Sequence, residues 1–270
     1  MSKPGVVLFA HGARDPKWSE PFESLAARFA ALEPDVPLSL AYLDFMTPDL
    51  PGAVRALRRS SMSIPLFRLP RTAQRQWLET QLRRPAPDAT LGMSDGFRLP
   101  GREGRTTPAA VLVPLVNRDE GLTVLLTQRS ADLPDHPGQI SFPGGRMEPE
   151  DADAGAAALR EAHEEVGLPG ARVTLLGNLA DYETVTGYRV TPVVGWVEPP
   201  FPVMPDPVEV ADVFEVPLAF LLDPANQQRH FRMQGLVRRD FWAIPYGERY
   251  IWGATAAMLM ILDRTLRAGA

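Results

Sequence analysis

Three glutamates on one face of an alanine-rich helix constrain this chain more than any other feature. From Ala154 to Val166 the residues are strong helix formers. Glu161, Glu164 and Glu165 then stand at i, i+3 and i+4, so their carboxylates share one side. Like charges held that close repel one another. A hard divalent cation relieves them through oxygen ligands, and Mg²⁺ typically keeps waters and substrate phosphates as its remaining ligands. A solvated acidic face would show the same three residues, so the decision falls to their surroundings. Phe142-Pro143-Gly144-Gly145 comes just upstream, and paired glycines let backbone approach a phosphate. Asp151 and Asp153 place acid and an N-cap at the helix start, and Gly167 fits the left-handed position that ends it.

At this point the chain resembles the Nudix hydrolases, whose box runs Gly, five residues, Glu, seven residues, then Arg-Glu-apolar-x-Glu-Glu-x-Gly-apolar. Arg160-Glu161-Ala162-His163-Glu164-Glu165-Val166-Gly167-Leu168 matches the second half throughout. The first half departs: Asp151 follows Gly145 where glutamate is usual, and eight residues separate it from Arg160. Leu125-Leu126-Thr127-Gln128-Arg129-Ser130, Gly138-Gln139 and the Phe142–Gly145 run resemble the extra motif of the coenzyme A pyrophosphatase branch, which shares the stretched box. Pro134 stands where that branch has an arginine, and Tyr250–Ala256 resembles its C-terminal helix. The resemblance spans roughly residues 107–267.

What the resemblance implies is hydrolysis of a nucleoside diphosphate derivative, water attacking one phosphorus. Glu161, Glu164 and Glu165 would hold Mg²⁺ or Mn²⁺. Arg160, on another face of the helix, would brace a carboxylate. Arg129, Gly144, Gly145 and His136 would contact substrate. Glu183 and Glu209 are the candidates for a general base, while His163 points away from the carboxylate stripe and reads as non-catalytic. The branch implies coenzyme A or its acyl derivatives, cleaved to 3′,5′-ADP and 4′-phosphopantetheine. ADP-ribose, a dinucleoside polyphosphate or an oxidised nucleotide are the alternatives.

Around this region the texture is that of an α/β protein. Ala109–Asn117 and Leu122–Gln128 flank Arg118-Asp119-Glu120-Gly121 as a hairpin. Gln139–Phe142, Val173–Leu179 and Val190–Val197 read as strands, and Glu209–Leu222 as a strand running into a short helix. Arg229–Arg238 with Asp240–Ile244 suggests another hairpin, and Trp252–Leu266 a closing helix. Together with the resemblance, residues 107–270 are expected to form a Nudix α/β/α sandwich around a mixed sheet.

The N-terminus has a different pattern. Val6–Ala10, Pro21–Leu32, Pro37–Phe45 and Leu50–Arg59 alternate strand, helix, strand, helix, the beginning of an open parallel sheet, over a segment set at 1–59. Leu8-Phe9-Ala10-His11-Gly12 and Asp44-Phe45-Met46-Thr47-Pro48 resemble the small sirohydrochlorin chelatases, in which a histidine at the end of the first strand acts on the metal or pyrrole protons. That family also has a second histidine in a later glycine-rich loop. The other histidines here, His136, His163 and His230, all fall in the Nudix-like region. The segment is therefore read as non-catalytic: a piece that pairs with another chain in a homodimer through a free sheet edge, or a vestige of a fusion. Residues 60–106 read as a connector, with an extended stretch Ile64–Pro70 and one helix over Thr72–Arg83.

A net charge of −5 gives no electrostatic reason to expect nucleic-acid or anionic-membrane binding. With no cysteine there is no disulfide, thiolate metal site or cysteine nucleophile. No apolar run approaches the ~20 residues of a membrane span, and the expected location is cytoplasmic.

Overall fold

The short apolar run at the N-terminus forms strand β1 (Val6–Ala10), paired in parallel with β2 (Leu38–Tyr42). Parallel neighbours need a crossover, and helix α1 (Glu20–Leu32) supplies it, with Phe22, Ala26 and Phe29 as its half-buried stripe. The computed structural model describes residues 6–10, 20–32, 38–42, 64–84, 106–234 and 237–268. His11, the Asp44–Leu50 motif and the helix expected at 50–59 lie outside them. The chain divides into two units, Met1–Pro65 and Leu66–Ala270.

A 3₁₀ turn, Pro65–Arg68, stands where the sequence reads as extended. Proline is favoured at the first position of a helical turn, because its φ is preset and its missing N–H would go unbonded there anyway. Helix α2 (Arg71–Leu82) follows and packs on the second unit's own elements, burying Leu78, Gln81 and Leu82.

The core of that unit is a sheet buried on both faces. Strands β3 (Thr107–Arg118) and β4 (Gly121–Arg129) form the expected hairpin. The sheet continues through β5 (Ile140–Ser141), β6 (Gly144–Arg146), β7 (Val173–Asn178), β8 (Tyr182–Glu183), β9 (Tyr188–Val197) and β10 (Val210–Pro217). Its main order is β10-β4-β3-β9-β7, with β3 and β9 parallel and the other pairs antiparallel, so the sheet is mixed. Alternation along each strand sends Ala110, Leu112, Val116, Leu125, Val193 and Val197 to one face. There they meet Ala157, Ala158, Ala162 and Val166 of helix α3 (Ala154–Val166). Alanine lets that helix lie close to the sheet. On the opposite face Val113, Leu115, Leu126, Val194 and Trp196 are buried, and beyond β10 the chain runs on into its C-terminal elements.

Those elements are α4 (Leu218–Leu221), the three-stranded sheet β11 (Gln228–Gln234), β12 (Val237–Tyr246) and β13 (Arg249–Trp252), and α5 (Gly253–Ala268). Helix α5 is buried continuously from Thr255 to Asp263, and the Thr255 hydroxyl donates to the Ile140 carbonyl at 2.9 Å. Two details differ from the sequence reading. Arg249–Trp252 is a strand rather than the start of the closing helix, because it pairs with Ala243–Tyr246 of β12. The β11–β12 pairing runs to Gln234↔Val237, four residues before the turn the sequence suggested. Among the described residues no helix is long and apolar enough to cross a membrane.

Candidate active site

Helix α3 is held at both ends by its own sequence. The Asp153 carboxylate accepts the Ala156 N–H at 2.8 Å, satisfying a first-turn donor. Gly167, at φ 71°, ends the helix in the left-handed region, and Leu168 N–H donates back to the Ala162 carbonyl at 3.2 Å. The glycine pair upstream is not an open loop. Gly144 and Gly145 sit on β6, paired with Ala110 and Val111 of β3. A Cβ on Gly144 would stand 2.5 Å from the Ala110 carbonyl oxygen, and one on Gly145 would stand 2.5 Å from Glu161 Oε1. Gly145 therefore makes the space the Glu161 carboxylate occupies. Gly145→Ala is expected to displace that carboxylate and lower turnover by on the order of 10–100-fold. Its melting temperature should stay close to that of the parent, and steady-state kinetics beside a thermal melt check both.

Arg160 ties the acidic residues together. Nε and Nη2 donate to the two oxygens of Asp151 at 3.1 and 2.9 Å, and Nη1 donates to Glu161 Oε1 and Glu164 Oε2, each at 3.0 Å. Nη2 also donates to the Arg146 carbonyl at 3.0 Å. The long side chain reaches round to the carboxylates from its own face of the helix. Asp151 accepts the Glu148 N–H as well, at 2.8 Å. The Arg160 hydrogen bonds and that N–H hold its carboxyl below the ordinary range. Asp151 is thus spent on Arg160 rather than acting as acid at the helix start.

Glu165 is the most buried of the three glutamates, 5% exposed. Burial pushes its carboxyl up to about 8, and Glu161 and Glu209 add to the rise; Arg129 and the Gly144 N–H, which bonds it, pull the other way. Half-buried Glu161 is raised too, by desolvation first and by Glu164 and Glu209, against the pull of Arg160. Glu164 is exposed, its side chain drawn to Arg160. Among the described residues no three acidic or histidine side chains converge tightly enough to grip an ion as they stand. The donor set still fits a hard divalent cation. Glu161 and Glu165 are partly desolvated and bear each other's charge and that of exposed Glu209, with the Arg160 guanidinium on Glu161 and that of Arg129 on Glu165, and all the donors are oxygens.

Glu209 arrives there by a route invisible in the sequence. Asp206 N–H donates to the Glu165 carbonyl and Met204 N–H to that of Val166, each at 2.9 Å, docking the 203–209 loop on the end of α3. The Glu209 carbonyl then accepts the Ser130 N–H at 2.8 Å, beside Arg129. The other base candidate, Glu183, lies on β8 opposite Arg189 and is not among the charges acting on Glu161 or Glu165. Arg129 Nε is buried without a hydrogen-bond partner, and the guanidinium's charge bears on Glu165. His136, at φ 58°, is exposed in the turn before β5, with no side-chain bond to this cluster, and His163 is exposed on α3.

A family model, the NUDIX domain, matches residues 106–233. An Escherichia coli K12 protein described as the uncharacterized Nudix hydrolase NudL is 45% identical over 155 residues, covering 56% of this chain and 78% of that one. Its counterpart in Shigella boydii is 44% identical over the same extent. Among solved structures, a Mycobacterium smegmatis Nudix hydrolase, RenU, is 25% identical with a TM-score of 0.37, over 43% of this chain and 73% of that one. The chain belongs to the Nudix hydrolase family. Nudix enzymes generally use divalent metals. Residues 5–69 match a second model, CbiX.

Proposed function

We propose that residues 66–270 catalyse divalent-metal-dependent hydrolysis of the pyrophosphate bond in coenzyme A or its acyl derivatives, releasing 3′,5′-ADP and 4′-phosphopantetheine. The observation that carries the reading is the gathering of Glu161, Glu165, Glu209 and the unbonded Arg129 Nε beside the β6 glycines. Glu161, Glu164 and Glu165 would hold Mg²⁺ or Mn²⁺, which supplies charge neutralisation at the phosphoryl oxygens and an activated water. Arg160 fixes the rotamers of Glu161 and Glu164 against that position. Arg129 meets a substrate phosphate oxygen, and the backbone at Gly144 and Gly145 lets the phosphates come close. Glu209 is the carboxylate placed to take a proton from the attacking water. Coenzyme A is favoured by the Leu125–Ser130, Gly138-Gln139 and Phe142–Gly145 motifs together with the stretched box.

The test is a product assay with Mg²⁺ and, in parallel, coenzyme A, ADP-ribose, NADH, diadenosine polyphosphates and 8-oxo-dGTP. Coenzyme A should give the highest kcat/KM, with 3′,5′-ADP and phosphopantetheine in equal amounts. Cleavage of another compound with coenzyme A left intact would replace the substrate and keep the reaction class.

A further inference from the structure

The C-terminal sheet carries more aromatic surface than its core requires. Its register places His230 opposite Phe241, Ala243 opposite Trp252 and Pro245 opposite Tyr250, so these side chains share one face. The opposite face holds Ile244 and Ile251, both fully buried. On the ring-bearing face, His230 stands 5.9 Å from Phe241 and 6.0 Å from Tyr250, and Phe241 stands 5.4 Å from Trp252, centroid to centroid. The Tyr250 hydroxyl and His230 Nδ1 are 2.7 Å apart, which orients the tyrosine ring. Tyr250 is nonetheless 39% exposed.

Tyr250 and Trp252 form one wall of a pocket of about 380 Å³. Gln128, Gln139, Ile140, Glu248 and Arg249 line it as well. Arg249 is already engaged, donating to Asp212 at 2.6 Å and lying 3.6 Å over the Phe214 ring. The half-buried carboxamides of Gln128 and Gln139 have no hydrogen-bond partner among the described residues. Its lining is more polar than apolar, and its volume falls in the range of small-ligand sites. Two rings and two unspent amides in one lining suit a flat heterocycle, which stacks on its faces and hydrogen-bonds along its edge. The pocket is not the carboxylate cluster. Along β4, Leu125 faces α3 and Arg129 acts on Glu165, so the intervening Gln128 points to the other face. The two places are separated by the end of one strand, with Arg129 and Gln128 as consecutive residues.

We propose that this pocket seats the heteroaromatic base of the nucleotide substrate, stacking it on Tyr250 and Trp252 and reading its edge with Gln128 and Gln139. The proposal rests on the reading above only in taking the substrate to be a nucleotide derivative. Phosphates on α3's side of β4 and a base on the other give an extended ligand two anchors, so that the scissile bond is placed by groups that take no part in its cleavage.

The experiment is calorimetric titration of the full chain, in chelator and therefore without turnover, using adenosine 3′,5′-bisphosphate as one probe and phosphopantetheine as the other. Tyr250→Ala and Gln128→Ala are expected to weaken the adenosine bisphosphate by on the order of tenfold each, and Tyr250→Phe by less than about twofold, since it keeps the ring. Phosphopantetheine should bind all variants alike. In the coenzyme A assay the same alanine variants should raise KM with kcat little changed. A thermal melt at the parent temperature shows that the fold is kept, and Gln128→Ala decides the matter if Tyr250→Ala melts early. Parent-like association of the bisphosphate in Gln128→Ala, or no association with the parent chain, overturns the pocket assignment. Hydrolysis of coenzyme A alongside unchanged association keeps the function and discards the pocket. Weakened association in a chain that does not cleave coenzyme A keeps the pocket and discards that substrate.

Discussion

Glu165→Gln is expected to abolish most turnover, by on the order of 10³-fold, and at the same time to raise the melting temperature of the metal-free protein. The two effects have one cause. A carboxylate 5% exposed and crowded by Glu161 and Glu209 is poorly solvated, and nothing but Arg129 and the Gly144 N–H opposes the strain. Its folded value of about 8 lies above the ordinary 4.5. The folded chain therefore holds a proton that the unfolded chain releases between those two values, and stability falls as pH rises across that window. Glutamine of nearly the same shape carries no charge to desolvate. In chelator the variant should match the parent near pH 4.5 and exceed it by on the order of 1–3 kcal/mol at pH 8. That corresponds to roughly 2–10 °C for a unit of this size. Glu164→Gln is the companion measurement. Glu164 is exposed, so its replacement should leave the melt nearly unmoved while also lowering turnover by orders of magnitude. Near-normal turnover in both variants would remove the metal assignment, and a lower melt for Glu165→Gln at pH 8 would show that the buried carboxylate is not under strain. Such a residue, poorly tolerated by the fold and kept by the reaction, is where stability and activity pull apart.

The parts of this molecule that could be read from the chain are those whose causes are local. Helix α3 runs Ala154–Val166 as expected because its cap, its alanines and its terminal glycine lie within a few residues of one another. Strands β3, β4 and β9 could be read from their β-branched runs, and the short β10–α4 join from the same kind of run ending at proline. What escaped was made by distant partners. Gly144 and Gly145 look like loop, yet pairing with Ala110 and Val111 makes them strand, and the absence of a Cβ is what allows β3 and Glu161 to come so near. Tyr250–Trp252 looks like the first turn of a helix until β12 claims it. Asp151 looks like a helix-start acid, but nine residues on, Arg160 takes both its oxygens. The sequence offered Glu209 only as one of two general-base candidates with nothing to choose between them, and it is the docking of Met204 and Asp206 on α3 that brings its loop to the site. A proline-rich loop carries no periodicity from which such a docking could be inferred.

The second large effect is expected from truncation. A chain begun at residue 64 should melt and turn over like the full protein, whereas one begun at 106, where the family match starts, should be poorly soluble or melt at least about 10 °C lower. The difference is α2, which the sequence presents as a helix in a connector and the structure presents as part of the catalytic unit. Leu78 and Leu82 are buried, and Leu82 lies against Gly177, where even an added Cβ would stand only 3.0 Å from it. Arg71 clamps the β3–β4 turn. Its guanidinium donates to the Asp119 carbonyl at 3.0 Å, to Asn117 Oδ1 at 2.8 Å and to the Arg118 carbonyl. Asn117 in turn donates to Glu198, which accepts the Trp196 indole N–H at 2.6 Å, so the clamp reaches the centre of the sheet. Uncovering two buried leucines alone costs about 3–6 kcal/mol, a large share of the ~5–15 kcal/mol that holds a domain together. Arg71→Ala in the longer chain should lose only the clamp, about 1–2 kcal/mol, and so separates the hydrogen bonds from the apolar cover. Equal melts for the chains begun at 64 and 106 would return residues 66–84 to the role of a linker. A loss confined to the shorter chain would mean that this Nudix fold needs a helix that its own family match leaves out.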